Sequence, residues 1–337
     1  LKKQQKMGVT IRKSILLAGF CLLLAVLVFI SISKGSVNQP LSLVIQALTD
    51  FEQENKYHLM IVNLRLPRIL ASALVGSGFG VAGALMQGST QNPMADSGLL
   101  GINAGSSFFL ALCFAFLPQL SYMELLLFSF LGAALGGICV QVIAYGGQQN
   151  VSKLRLILAG VAVSAMFTAF SQAIARIFKV DQNLMFWTAG GVGGVTWSQL
   201  KIFSLFIFLG LLAAIILSPA VSMLSLGDEV AQGLGVNVLF VQYSVNLVVI
   251  CLAGVSVAVV GPISFVGLVV PYGARFCFGS NYRWIIPGSI VIGAILLVLA
   301  DFLARNLIAP SELPMGILIA LIGVPFFLVI AKNLGGK

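Results

Sequence analysis

The chain has 337 residues, 59% of them hydrophobic and 9% charged, with a mean hydropathy of +1.06. Soluble proteins carry about 25% charged residues, so this composition excludes a soluble domain, and at about 20 apolar residues per crossing it caps the membrane spans at about ten. The net charge of +9 does not argue for a nucleic-acid partner here, because lysines and arginines flanking apolar runs set membrane orientation. The runs are apolar all round rather than alternating, which predicts helices and not barrel strands.

Lys2, Lys3, Lys6, Arg12 and Lys13 precede a first span at about 14–33. They predict a cytoplasmic tail over 1–13 and a cytoplasmic N-terminus. This first run is long and lacks an A-x-A-like site, so it reads as a retained span rather than a cleaved signal. Residues 34–63 read as a polar connection holding Asp50, Glu52, Glu54, Lys56 and the only histidine, His58. A lone histidine in a solvated loop reads as a surface residue.

The next stretch, 63–107, organises the rest. Arg65, Pro67 and Arg68 open it, and about twenty uncharged residues follow. That run is crowded with Ala71, Ser72, Ala73, Gly76, Ser77, Gly78, Gly80, Ala82, Gly83 and Ala84. Small residues let helix backbones approach closely in lipid, so a span at about 66–87 is predicted to be central and surrounded. The polar break Gln91-Asn92-Pro93-Met94-Ala95-Asp96 ends it. Gly78 to Gly83 formally matches G-x-G-x-x-G, but a dinucleotide loop needs a strand before it. Inside a span the same glycines read as a packing surface.

Spans three to five are predicted at about 98–117, 123–146 and 153–176, with a cytoplasmic loop between the last two. Asp181, Trp187, Gly190, Gly191, Gly193, Gly194 and Trp197 then mark a turn-rich interfacial segment. Span six, about 201–219, leads into a short polar and apolar pattern, 224–237, whose Asp228 and Glu229 suit a helix start. Span seven, about 239–259, is followed by Gly261 to Pro271, a proline-interrupted piece too short to cross. A cytoplasmic turn from Arg275 to Arg283 and spans at about 285–304 and 314–331 complete the chain. Gly76 to Gly101 and Ala253 to Gly273 each pair a glycine-rich helix with a break and a short apolar piece, which suggests an inverted repeat.

In this topology Arg65, Arg68, Arg176, Lys179 and Arg305 fall on the outer side, against the usual bias. Either the topology is wrong or these arginines have an acidic partner outside. The ten acidic residues all lie in loops or near span ends, which argues against proton coupling and intramembrane catalysis. The five cysteines have no metal or redox spacing and, with one histidine, predict no metal site. No G-x-x-x-x-G-K-[ST] is present, so the chain has no P-loop. A passive pathway driven from elsewhere remains.

Leu64-Arg65-Leu66-Pro67-Arg68, Gln91 to Asp96, Leu100-Gly101-Ile102-Asn103-Ala104-Gly105, Leu158-Ala159-Gly160-Val161-Ala162, Gly261 to Pro271, Glu312-Leu313-Pro314-Met315-Gly316 and Gly323-Val324-Pro325-Phe326-Phe327 are specific together and weak singly. On these, nearly the whole chain resembles the FecCD-type permeases, membrane subunits of ABC importers for ferric siderophores, haem and vitamin B12. The resemblance implies one permease domain over 1–337 with the type II importer fold, about ten helices, and both termini in the bacterial cytoplasm. It implies a second permease subunit, identical or paralogous, an external solute-binding protein, and two ATP-binding subunits that use the ATP and Mg. The chain itself is then no enzyme and holds no cofactor.

The residues in the family's docking positions are Arg65, Arg68 and Arg305, for each of which a snorkelling interfacial anchor is the competing account. Residues 222–238 match the cytoplasmic coupling helices, with Leu226, Gly227, Asp228, Glu229, Ala231, Leu234 and Gly235 facing the ATPase. The resemblance places a gate at Asn92 and Met94 and around Ser152, Lys153 and Leu154. Near that second site the chain departs from the small hydroxylated gate residues of the B12 permease, which argues against B12. The expected cargo is a ferric siderophore. Haem or cobalamin import by the same architecture, or an ion-coupled secondary carrier, are the alternatives.

Overall fold

A computed structural model describes residues 2–35, 37–146, 153–309 and 311–335. Among these every regular element is a helix. Seven helices or helix runs are long and apolar enough to cross a membrane: α1 (Lys2–Ser33), α4 (Leu66–Thr90), α6 (Tyr122–Tyr145), α7 (Lys153–Phe178), α9 (Trp197–Leu224), α11 (Val238–Val260) and α13 (Tyr282–Asn306). Three apolar helices are shorter: α5 (Ile102–Phe116), α12 (Val266–Phe278) and α14 (Met315–Gly335). In lipid a backbone must satisfy its own polar groups, which is why the apolar runs are helical.

The centre is α4, 83% buried over its most apolar window, against 11% for α1. Its glycines explain how so many neighbours fit. A Cβ on Gly76 would overlap the Gly293 backbone of α13, and one on Gly83 would overlap Gly267 of α12. Gly78 meets Ser256 of α11, and Gly88 meets Val221 of α9. Small residues thus face four different helices, and close backbone approach replaces the hydrophobic drive that lipid does not supply. The 78–83 glycine pattern lies wholly within this helix, a packing surface as expected. Away from the centre, α5 and α6 cross on Gly105 and Gly132, and α7 packs beside them through Phe108 and Phe167, ring centroids 5.2 Å apart.

Three expectations are corrected. The polar connection 34–63 is largely ordered: α2 (Leu41–Thr49) and α3 (Lys56–Leu59) fold there, and a π-helical turn, Met60–Arg65, joins α3 to α4 without a break. His58 is fully buried and not on the surface; its Nδ1 accepts from the Glu52 backbone at 3.2 Å and its ring stacks on Phe51. Helix α1 begins at Lys2, so the basic residues ahead of the first span are helical and continuous with it. The irregular piece after α11 is short, and α12 runs through Pro271 and Arg275 to Phe278. Proline cannot donate to the carbonyl four residues back. Here that carbonyl, Gly267 O, accepts instead from Gln87 Nε2 of α4 at 3.2 Å.

Candidate functional site

The functional residues separate into two groups at opposite ends of α4. At its N-terminal end the π-helical turn and Pro67 set Arg65 and Arg68 three residues apart, and the end of α13 brings Arg305 to them. All three arginines lie together, already held by this chain. Arg65 donates to Ile32 O at 2.6 Å, to Ser33 O and to Val37 O. Arg305 donates to Ser31 O and to the Ser31 hydroxyl. The carbonyls of Ser31, Ile32 and Ser33 are the final ones of α1, which lack intrahelical donors and carry the negative end of the dipole. Two of the three arginines therefore cap α1, and both are nearly inaccessible, at 6% and 5% exposure.

Asp301 binds the group together. One carboxylate oxygen lies 2.8 Å from Arg68 Nε and the other 3.0 Å from Arg305 Nε. It is 1% exposed, so an acidic residue that the sequence places near a span end is in fact an interior counter-ion. Arg68 spends its remaining donors on Glu312, Nη1 to Oε1 and Nη2 to Oε2, both at 2.9 Å. Glu312 belongs to the α13–α14 connection and is half-exposed. Of the three predicted docking arginines, only Arg68 pairs with an exposed carboxylate.

At the other end, α9 stops, Gly227 takes φ 123°, and α10 (Asp228–Gly233) follows, closed by Gly235 at φ 84°. Ala231 is fully buried against the bundle, so it seats α10 and faces no partner. Leu226, Val230 and Leu234, spaced four apart, are 65%, 48% and 60% exposed. Val230 belongs with the predicted pair and was legible in that spacing. Gln91, at φ 53° where α4 ends, donates from Nε2 to Leu224 O at 2.9 Å and to Asp228 Oδ1 at 2.7 Å. The break after α4 is thus tied to the start of α10.

The Asn92 side chain accepts from Met94 N at 2.9 Å, which closes the break into a turn. Asn92 also lines a cavity of about 190 Å³ with Met86, Gln91, Leu156 and Ile157. The first turns of α7 therefore meet the break. Ser152 lies outside the described residues, and of Lys153 and Leu154 only the backbone is described. Asp96 accepts from the Ser97 hydroxyl at 3.2 Å, and burial pushes its carboxyl above the ordinary range, against hydrogen bonds from Ser97, Gly98 and Phe265.

Residues 23–333 match the FecCD transport family. The iron(3+)-hydroxamate import system permease protein FhuB of Bacillus subtilis is 44% identical over 95% of this chain and 83% of its own length. The ferric enterobactin transport system permease protein FepD of Escherichia coli is 37% identical, covering 98% and 99%. The hemin transport system permease protein HmuU of Yersinia pestis is 36% identical, covering 93% and 94%. An inward-facing structure of a metal-chelate type ABC transporter superposes with a TM-score of 0.82 at 28% identity, covering 94% of this chain and 99% of that one.

Proposed function

The chain belongs to the FecCD transport family, and on that premise we propose that it is the membrane-spanning subunit of an ATP-driven importer that carries a ferric siderophore across the bacterial cytoplasmic membrane. The observation that carries this reading is the separation of two built surfaces along one helix. Arg65, Arg68 and Arg305 gather at one end of α4, and the apolar stripe Leu226, Val230 and Leu234 stands at the other. The arginine end faces outward and receives a solute-binding protein. The α10 end faces the cytoplasm and seats one of two ATP-binding subunits, which hold the ATP and Mg. In this reading the three shorter apolar helices cross the membrane along with the seven long ones, both termini lie in the cytoplasm, and a second permease completes the pathway. Helices α5 and α12 each start after a residue at φ 70°, Gly101 and Phe265, which supports an inverted repeat of α4–α5 and α11–α12.

Docking in this reading works by exchange of carboxylates. Arg68 already holds a bidentate partner in Glu312, and the arriving protein's carboxylate takes its place. Arg65 and Arg305 fix α1 and α13 around Arg68 rather than meeting the partner themselves. Named relatives carry hydroxamate, enterobactin and haem chelates, and the identity to the hydroxamate permease favours a siderophore cargo.

The test is reconstitution with the ATPase and solute-binding protein. Arg68→Glu should abolish stimulation of ATP hydrolysis by the binding protein and lower uptake at least about tenfold, since truncating one partner of a charged pair at an interface costs 2 kcal/mol or more, while the subunits still co-purify. Normal stimulation in that variant would remove the docking role. Uptake by the permease alone in liposomes, without any ATPase, would replace the importer reading with a secondary carrier.

A further inference from the structure

The lysines and arginines at the α10 end of the bundle are not spread evenly over its helix ends. Lys2, Lys3, Lys6, Arg12 and Lys13 belong to α1, Arg275 to the last turn of α12 and Arg283 to the first turn of α13. Elsewhere at that end the helices carry Lys153 and Arg155 on α7 and Lys332 on α14. The three basic ends meet. The Phe20 ring of α1 lies 6.2 Å from Phe278 of α12. The Lys13 ammonium lies 3.6 Å from where a Cβ on Gly279, in the α12–α13 turn, would stand. Lys2 and Lys6 precede Lys13 by eleven and seven residues, close to whole helical turns, so the three positions fall on one line of α1. The turn itself is fixed to α9, because the Tyr282 backbone N–H donates to Ser222 Oγ at 3.0 Å.

These cations differ from the others in having nothing in the chain to neutralise them. Arg68 and Arg305 share Asp301, Arg65 holds the carbonyls of α1, and Arg176 pairs with Asp181 at the start of α8 (Asp181–Ala189). Arg275 donates to Gln87. Arg12, Lys13 and Arg283 have no hydrogen-bond or carboxylate partner among the described residues. Neither α1 nor α12 contains an acidic residue, and the only one on α13 is Asp301, roughly 27 Å along the axis from Arg283. The two carboxylates of this corner, Asp228 and Glu229, belong to α10, and Asp228 accepts from Gln91. Beyond the charges α1 turns apolar and stays exposed, through Ile11, Ile15, Leu16, Leu22 and Leu23. Only 11% of its apolar window is buried. Trp284, beside Arg283, is partly buried, and its indole N–H has no acceptor among the described residues. A tryptophan there suits the boundary between water and hydrocarbon.

We propose that the ends of α1, α12 and α13 form a binding site for an anionic phospholipid of the inner leaflet. Lys13 and Arg283 hold its phosphate, with Arg12 and the first lysines of α1 adding positive charge. The indole N–H of Trp284 is left for an ester oxygen, and an acyl chain lies along the exposed side of α1. An acidic protein surface would answer the charges but not the apolar column beneath them, whereas a phospholipid supplies both in that order. Basic pockets between helices at the cytoplasmic face take anionic headgroups for this reason. Because α1 buries so little of itself, the lipid becomes part of what attaches it to the bundle. The choice of leaflet rests on the orientation in the importer reading; the pattern of charge and apolar surface does not.

The assembled permease and ATPase in mixed micelles test this, with fluorescent-tailed phosphatidylglycerol as the probe. It should bind at least about fivefold more tightly than phosphatidylcholine with the same tail, the worth of one cation near an anionic surface. Lys13→Gln combined with Arg283→Gln should abolish that preference, and Lys13→Arg should keep it. Lys201→Gln combined with Lys332→Gln removes the same charge elsewhere and should also keep it. Equal binding of the two lipids by the unaltered assembly would overturn the proposal. So would equal losses in the two double variants, which would mean a diffuse field and not a site. Excess glycerol 3-phosphate should leave the probe bound; displacement would show that the apolar column contributes nothing and that the ligand is a soluble phosphate. Loss of the co-purifying ATPase from the Lys13→Gln, Arg283→Gln variant would assign the patch to that partner instead. The leaflet has its own measurement. In intact cells Arg12→Cys should stay unreactive toward a membrane-impermeant thiol reagent. Reaction from outside would overturn the orientation, and with it the importer reading, while the preference seen in micelles would still decide whether the site exists.

Discussion

Asp301 and Glu312 grip the same arginine, yet their removal should have very different consequences. Asp301 is 1% exposed and lies within 3.0 Å of both Arg68 and Arg305. Replacing it by asparagine leaves three arginines in one corner with Glu312 as the sole counter-charge, and puts an amide NH₂ against a guanidinium. Removing one partner of a buried pair costs about 3–5 kcal/mol, because the other charge stays buried and unpaired. Glu312 is half-exposed and its loss lets water reach Arg68, which puts its cost at no more than about 1 kcal/mol. At roughly 2 °C per kcal/mol for a chain of this size, Asp301→Asn should lower the unfolding temperature by about 6–10 °C and Glu312→Gln by about 2 °C at most. Both are measured in detergent at one fixed scan rate, since membrane-protein unfolding is rarely reversible. Equal shifts for the two variants, or none for Asp301→Asn, would refute the claim that burial sets the value of these pairs.

Three further outcomes follow from the same geometry. Glu312→Gln should tighten the solute-binding protein several-fold by freeing Arg68, about the 1 kcal/mol just assigned to that pair, seen as a lower half-saturating concentration in stimulated ATP hydrolysis. Gly83→Val should sharply reduce folded protein in size-exclusion chromatography, because the side chain would overlap the Gly267 backbone and overpacking costs about 1–3 kcal/mol or more; Gly19→Ala, with nothing within 4 Å, is the neutral control. Gln91→Ala removes both hydrogen bonds to the α9–α10 corner, about 1 kcal/mol each, and should lower iron taken up per ATP hydrolysed while leaving ATP hydrolysis itself intact.

The central helix was legible because its cause is local: ten small residues in one span have no use except close packing, and α4 has neighbours on four sides. The short helix after α9 was legible for a similar reason, since Leu226, Val230 and Leu234 recur at helical spacing between two spans. What was not legible depends on distance in sequence. His58 reads as solvated from the charges around it, but α2 and the π-helical turn fold over it. The arginines read as free at span ends because nothing near them in the chain announces that the carbonyls of α1 lie beside them. Asp301 reads as a terminal residue because a run of apolar letters does not say on which turn the interior ends.

Pro271 shows how such distant compensations set the mechanics. Within α12 it leaves the Gly267 carbonyl without its helical donor, which would be costly in a buried apolar setting. Gln87 of α4 supplies the donor through its amide nitrogen, and its amide oxygen accepts from Arg275 one turn further along α12. A leucine at 87 satisfies neither group, and a glutamate satisfies only Arg275. Four residues on, at the C-cap of α4, Gln91 binds the α9–α10 corner. One turn of α4 is therefore fastened to α12 and the next to the segment proposed to meet the ATPase. The 25 residues of α4 span roughly 37 Å, and Arg68 stands at the far end. A close-packed helix held on four sides does not bend to absorb a displacement. Any movement of α10 that Gln91 transmits must then shift α4 against α12 and α13 as a body or break the Gln91 bonds. That is why the Gln91 variant is the one expected to separate ATP hydrolysis from transport, and a variant at Gln87, which also unpairs a backbone carbonyl, is expected to lose both.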